Sequence, residues 1–118
     1  MSSNKLKDSD IKFTISLDEN NVPEKIAWEA EDAGKKSTRV TKAFMTSIWD
    51  QDDQSTLRID LWTKDMHVDE MKVFFHQSLL SMADTFEKAT GEKAVAGDLR
   101  DYCAHFGKKM NILSKEKK

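Results

Sequence analysis

Three histidines, His67, His76 and His105, and one cysteine, Cys103, are the side chains best suited to hold a metal or act as a nucleophile. Their spacing argues against both roles. Cys103 and His105 stand two residues apart on a predicted helix, so they point to different sides. No His-x₃-His or Cys-x₂-Cys pair occurs. His76 reaches Cys103 only through tertiary packing. The ordinary reading is a core thiol and surface histidines. Carboxylates are plentiful: Asp50, Asp52, Asp53, Asp60, Asp65, Asp69 and Glu70. A hydrolase needs two of them converging on one bond. Asp50 to Asp53 instead sit where a hairpin must turn, and turns favour Asp on backbone grounds alone. Asp60 alternates within a predicted strand and is expected to pair with Arg58 or a neighbour. The run Asp50-Gln-Asp-Asp-Gln-Ser-Thr56 lacks the central Gly and terminal Glu of a calcium loop. The four glycines, Gly34, Gly91, Gly97 and Gly107, are isolated, which excludes a phosphate-cradling loop. Catalytic residues, cofactor and metal are therefore all expected to be none, and the chain is not read as an enzyme.

The elements that position these residues must come from 118 residues, the usual size of one domain. Such a chain buries roughly two thirds of its unfolded surface, enough for one core. The net charge of −2 argues against a dedicated nucleic-acid binder, which is normally strongly basic. One cysteine allows no intrachain disulfide. The polar start, Met1 to Asp10, has no apolar signal-like region, and no run of 18 apolar residues occurs. A cytoplasmic protein without a transmembrane segment is expected. Residues 1–9 and 114–118 read as flexible tails around a single domain, 10–113.

The first half alternates with period two. Ile11, Phe13, Ile15 and Leu17 share one face of a strand. Asp18 to Glu24 is turn chemistry with Pro23 in a loop, and Ile26, Trp28 and Ala30 mark a second strand. Asp32 to Thr38 reads as a flexible connection. A third strand spans Val40 to Trp49, and a fourth carries Leu57, Ile59 and Leu61. Joining these two through residues 51–54 sets Ile48 opposite Leu57, Thr46 opposite Ile59 and Phe44 opposite Leu61. The strongly apolar positions then share one face, which fixes register. From Val68 the period changes. Val68, Met71, Phe74, Phe75, Leu79, Met82 and Phe86 make a wide helical stripe, closed by Gly91. A second helix is expected from about Ala94 to Leu113. Four strands before two helices predict an α+β domain: a four-stranded antiparallel sheet, ββββ, followed by two C-terminal helices packed on one face.

The other face of the last hairpin is the oddity. Trp49, Trp62, Met45 and Ala43 are expected to cluster there, away from the predicted helices, with Arg58 on the same face. Tryptophan is enriched in interfaces. The plain alternative folds Trp62 over the sheet edge. Met45, Trp49, Arg58 and Trp62 form the candidate interface, for a protein partner or for a homodimer through the exposed sheet face.

Several segments resemble the GldC family, the small gliding-motility-associated proteins of Bacteroidota. They are Ile11-Lys-Phe-Thr-Ile-Ser-Leu-Asp-Glu-Asn-Asn-Val-Pro-Glu-Lys-Ile26, Leu57-Arg-Ile-Asp-Leu-Trp-Thr-Lys-Asp-Met66, Val68-Asp-Glu-Met71, Phe74-Phe-His-Gln77 and Met82-Ala-Asp-Thr-Phe86. The likeness runs from about residue 10 to residue 110. His67 stands where many relatives carry a proline. The resemblance implies a non-enzymatic accessory protein of the gliding apparatus, linked to a secretion system, and supplies no catalytic residue or cofactor. Two other readings stand beside it: a small self-associating or chaperone-like module, and a small-ligand binder or enzyme with a pocket between sheet and helices.

Overall fold

The computed structural model describes residues 5–32 and 35–112. Five strands precede two helices: β1 (Ile11–Leu17), β2 (Pro23–Asp32), β3 (Lys35–Thr41), β4 (Ala43–Asp50), β5 (Ser55–Trp62), α1 (Val68–Thr90) and α2 (Lys93–Lys109). The chain is α+β, as the change of period predicts. It forms two compact units, parted between Met66 and His67.

The strand unit holds two antiparallel sheets, ordered β1-β2-β3 and β4-β5, instead of the single four-stranded sheet expected. The extra strand lies largely in the expected connection. Lys35-Lys-Ser-Thr-Arg-Val-Thr41 has one large apolar residue, so no alternation announces it. It is a strand because its backbone pairs with β2, from Ile26↔Thr41 to Asp32↔Lys35. The expected third strand, Val40 to Trp49, is broken at Lys42, where the chain bends out of one sheet and into the other. The Thr41 hydroxyl donates to the Ala43 carbonyl across that bend (3.1 Å). The last hairpin has the expected register, with Ile48↔Leu57, Thr46↔Ile59 and Phe44↔Leu61. Its turn is held by Asp50, whose carboxylate accepts from the Asp53 N–H (2.8 Å).

Phe13 of β1 stacks on Phe44 of β4, with ring centroids 4.3 Å apart, so the two sheets meet through aromatics. Ile26 is wholly buried. Pro23 opens β2 and is not a loop residue; as the first residue of a strand it needs no N–H for the ladder.

The β1–β2 turn is organised by Asp18. Its carboxylate takes an ion pair from Lys64 (2.8 Å) and accepts from the N–H groups of Asn20 and Val22 (2.8 and 3.0 Å). The lysine first, then the Val22 N–H, hold the carboxyl down at about 2. A depressed folded value gives stability that is present above the unfolded carboxyl value, about 4. That stability is lost as pH falls through about 2. Asp18→Asn is therefore expected to flatten the acid limb of the stability curve between about pH 4 and pH 2. Chemical denaturation across that range checks it; an unchanged limb would refute the assignment.

The helical unit is an antiparallel hairpin. Glu70 accepts from the His67 N–H (2.8 Å), and Asp69 and Glu70 complement the dipole of the first turn. Gly91 ends α1 in the left-handed region (φ 75°), its N–H on the Glu87 carbonyl (2.8 Å). A Cβ at Gly91 would meet nothing within 4 Å, so Gly91→Ala costs only backbone strain. A loss of about 1–2 kcal/mol is expected in a denaturation measurement.

α2 stops at Lys109, short of the expected Leu113, which lies outside the described residues. The stop is a Schellman-type cap. Ile112 N–H bonds the Gly107 carbonyl (2.7 Å), Asn111 N–H bonds Lys108 (3.1 Å), and Asn111 takes the left-handed conformation (φ 61°). The seam between the helices runs along small residues. Ala83, Ala96 and Cys103 are buried, as is His76, whose Nε2 lies 3.1 Å from the Cys103 carbonyl. Arg100 of α2 bridges Asp84 and Glu87 of α1 at 2.8 Å each. Met71, Phe74, Leu79, Phe86 and Phe106 are half-buried, while Val68, Phe75, Met82, Val95, Leu99 and Tyr102 are exposed.

Candidate functional site

Alternation along β4 and β5 decides what their two faces carry. One face takes Phe44, Thr46 and Ile48 with Leu57, Ile59 and Leu61. The other takes Ala43, Met45, Ser47 and Trp49 with Thr56, Arg58, Asp60 and Trp62. All four candidate residues, Met45, Trp49, Arg58 and Trp62, thus share a face.

They do not form one apolar cluster. Trp49 pairs with Thr56 near the turn, and Trp62 pairs with Ala43 at the other end. Six residues of strand separate them, roughly 20 Å. Between them lies a polar strip. Arg58 donates to both Asp60 carboxylate oxygens (2.8 and 3.3 Å) and to the Ser47 hydroxyl (2.6 Å). Of the partners the sequence left open for Asp60, Arg58 or a neighbour, the structure has Arg58. The exposed ion pair is worth at most about 1 kcal/mol, so its effect is to fix where the guanidinium sits. Met45, half-buried, stands opposite Asp60. Trp49 is 66% exposed and Trp62 is 55% exposed. Two indoles therefore flank a neutral, hydrogen-bonded strip.

The opposite face is less covered than its apolar pattern implies. Ile48, Leu57 and Ile59 are all exposed.

Among the described residues no group of three or more His, Cys, Asp or Glu side chains is placed to hold a metal. Cys103 is buried, and burial pushes its thiol up, away from the reactive thiolate. His76 stacks on Phe106, with centroids 5.9 Å apart, and serves the helix seam instead of the surface expected for it. Asp65 accepts from the Thr63 hydroxyl, and Asp50 serves its turn. A cavity of about 240 Å³ at the β1–β2 edge is lined by Asp10, Lys12, Glu29, Ala30 and Glu31. It is smaller than an ordinary ligand pocket and has no histidine or nucleophile. No described helix is long and apolar enough to cross a membrane.

A family model described as "Gliding motility-associated protein GldC-like" matches residues 23–112, well over half of the chain. No curated protein and no solved structure matches it. The matched span covers the β4–β5 face and both helices.

Proposed function

Since the chain belongs to the GldC-like family of gliding motility-associated proteins, we propose that it is a non-enzymatic accessory protein of the bacterial gliding apparatus that works by binding another protein. The observation that carries this is the exposure of Trp49 and Trp62 on one face, on either side of the Arg58–Asp60–Ser47 network. Exposed tryptophans with an arginine between them are the residue types that dominate binding energies at interfaces. The partner is a component of the gliding or secretion machinery of Bacteroidota. A lone, unpaired thiol suits the reducing cytoplasm.

Affinity capture from a gliding bacterium tests this reading. The chain as bait is expected to enrich a motility or secretion component reproducibly. Capture of none counts against it. A second reading, self-association through the same face, predicts instead that the bait captures only further copies of itself.

A further inference from the structure

β5 ends its sheet, and the backbone shows which of its groups point off that edge. The Thr63 N–H donates to the Lys42 carbonyl (2.8 Å). Residues 42 and 63 extend the regular β4–β5 register, so they are a hydrogen-bonded pair. Such pairs alternate along an antiparallel ladder. Leu57, Ile59 and Leu61 therefore aim their N–H and C=O groups at β4. Thr56, Arg58, Asp60 and Trp62 aim theirs outward. Residues 55–60 are all exposed. At the Trp62 end the start of β2 lies beside β5, and just beyond it the Pro23 carbonyl accepts from the Lys64 N–H (3.3 Å).

We propose that two copies of this chain pair β5 against β5, antiparallel and centred on Ile59, to form a four-stranded sheet β4-β5-β5-β4. Three features of β5 single out this partner and register. First, centring on Ile59 sets Arg58 opposite Asp60 of the second copy, and Asp60 opposite its Arg58. Shifting the strands by two residues sets Arg58 on Arg58 or Asp60 on Asp60, which repel. Charges on an edge strand commonly deter pairing; this order of charges complements itself. Second, the register joins outward groups to outward groups, Thr56 to Trp62 and Arg58 to Asp60. A shift by one residue would break that match. Third, Ile59 then meets Ile59, and Leu57 meets Leu61, in the closer non-hydrogen-bonded pairs. The half-exposed apolar residues of each two-stranded ribbon become part of a continuous face. A lone two-stranded ribbon is marginal, and a wider sheet is not.

The pairing also changes the tryptophan face. Trp49 lies opposite Thr56, and Thr56 would lie opposite Trp62 of the second copy. The two indoles then share a row two strand spacings apart, about 10 Å, instead of roughly 20 Å within one chain. The dimer rests on the β5 edge and not on the motility reading, so either can fail alone.

The test uses the full chain, with mass by light scattering and amide exchange by NMR. Concentrated protein is expected to have twice the 13.5 kDa chain mass and to dissociate on dilution. The amides of Thr56, Arg58, Asp60 and Trp62 should be protected in the dimer and lose protection on dilution. Those of Leu57, Ile59 and Leu61 should stay protected throughout. Arg58→Asp should weaken association by at least about tenfold, and the swap Arg58→Asp with Asp60→Arg should restore it. Three results would overturn the proposal: a monomer at every concentration, a dimer whose Thr56, Arg58, Asp60 and Trp62 amides exchange freely, or a charge swap that associates no better than Arg58→Asp. A variant that fails to fold leaves the exchange pattern of the unaltered chain as the deciding result.

Discussion

A chain carrying Trp49→Ser and Trp62→Ser is expected to keep its fold and lose its protein partner. Both indoles are mostly in solvent, so their removal creates no cavity in the core. Surface changes of this kind usually alter stability by about 0.5 kcal/mol or less. At an interface the same truncation is severe. Buried tryptophan anchors cost at least about 2 kcal/mol each, roughly thirtyfold in affinity per residue. The pair stands on either side of Arg58, whose guanidinium is held by Asp60 and Ser47, so each end of the surface loses its anchor while the centre stays in place. The thermal unfolding midpoint and the yield of captured partner, measured side by side, separate the two effects. An unchanged yield with an unchanged midpoint would remove the tryptophan face from the account.

Ile26→Ala is expected to act in the opposite way, through the fold alone. Ile26 is the largest wholly buried side chain of the strand unit, and it sits where β1, β2 and β3 meet, paired with Ile15 and with Thr41. Truncating a buried isoleucine leaves a cavity that closes only partly. The cost is about 2–5 kcal/mol, a large share of the stability of a small protein. All three tryptophans, Trp28, Trp49 and Trp62, lie in the strand unit, so their fluorescence follows its unfolding directly. Urea unfolding followed by fluorescence should show that loss. A loss below about 1 kcal/mol would mean that Ile26 does not anchor the core.

What the sequence revealed, and what it hid, follows from where each signal resides. The β4–β5 register was legible to the residue because one face is apolar at every second position and the turn is rich in Asp. The start and end of α1 were legible because Asp69, Glu70 and Gly91 answer the unpaired groups at its ends. β3 was hidden because it is an edge strand with polar residues on both faces; hydrogen bonds to β2 define it, and those leave no mark in hydropathy. The end of α2 was hidden because Asn111 does the work usually given to glycine. The exposed tryptophans were legible as misfits to a buried pattern. Their separation was implicit in the same register, which sets Trp62 opposite Ala43, six residues along the strand from Trp49. The outward groups of β5 needed one observed bond, Thr63 to Lys42, before their direction was fixed.

The central claim is that the β4–β5 face meets a protein of the gliding apparatus. The most direct measurement places a photo-crosslinking amino acid at Ser47, between the two tryptophans, and compares it with one at Glu92, in the turn between the helices, in living gliding cells. A covalent product with a motility or secretion component is expected from position 47 and none from position 92. No such product from position 47, or equal products from both positions, would contradict that claim.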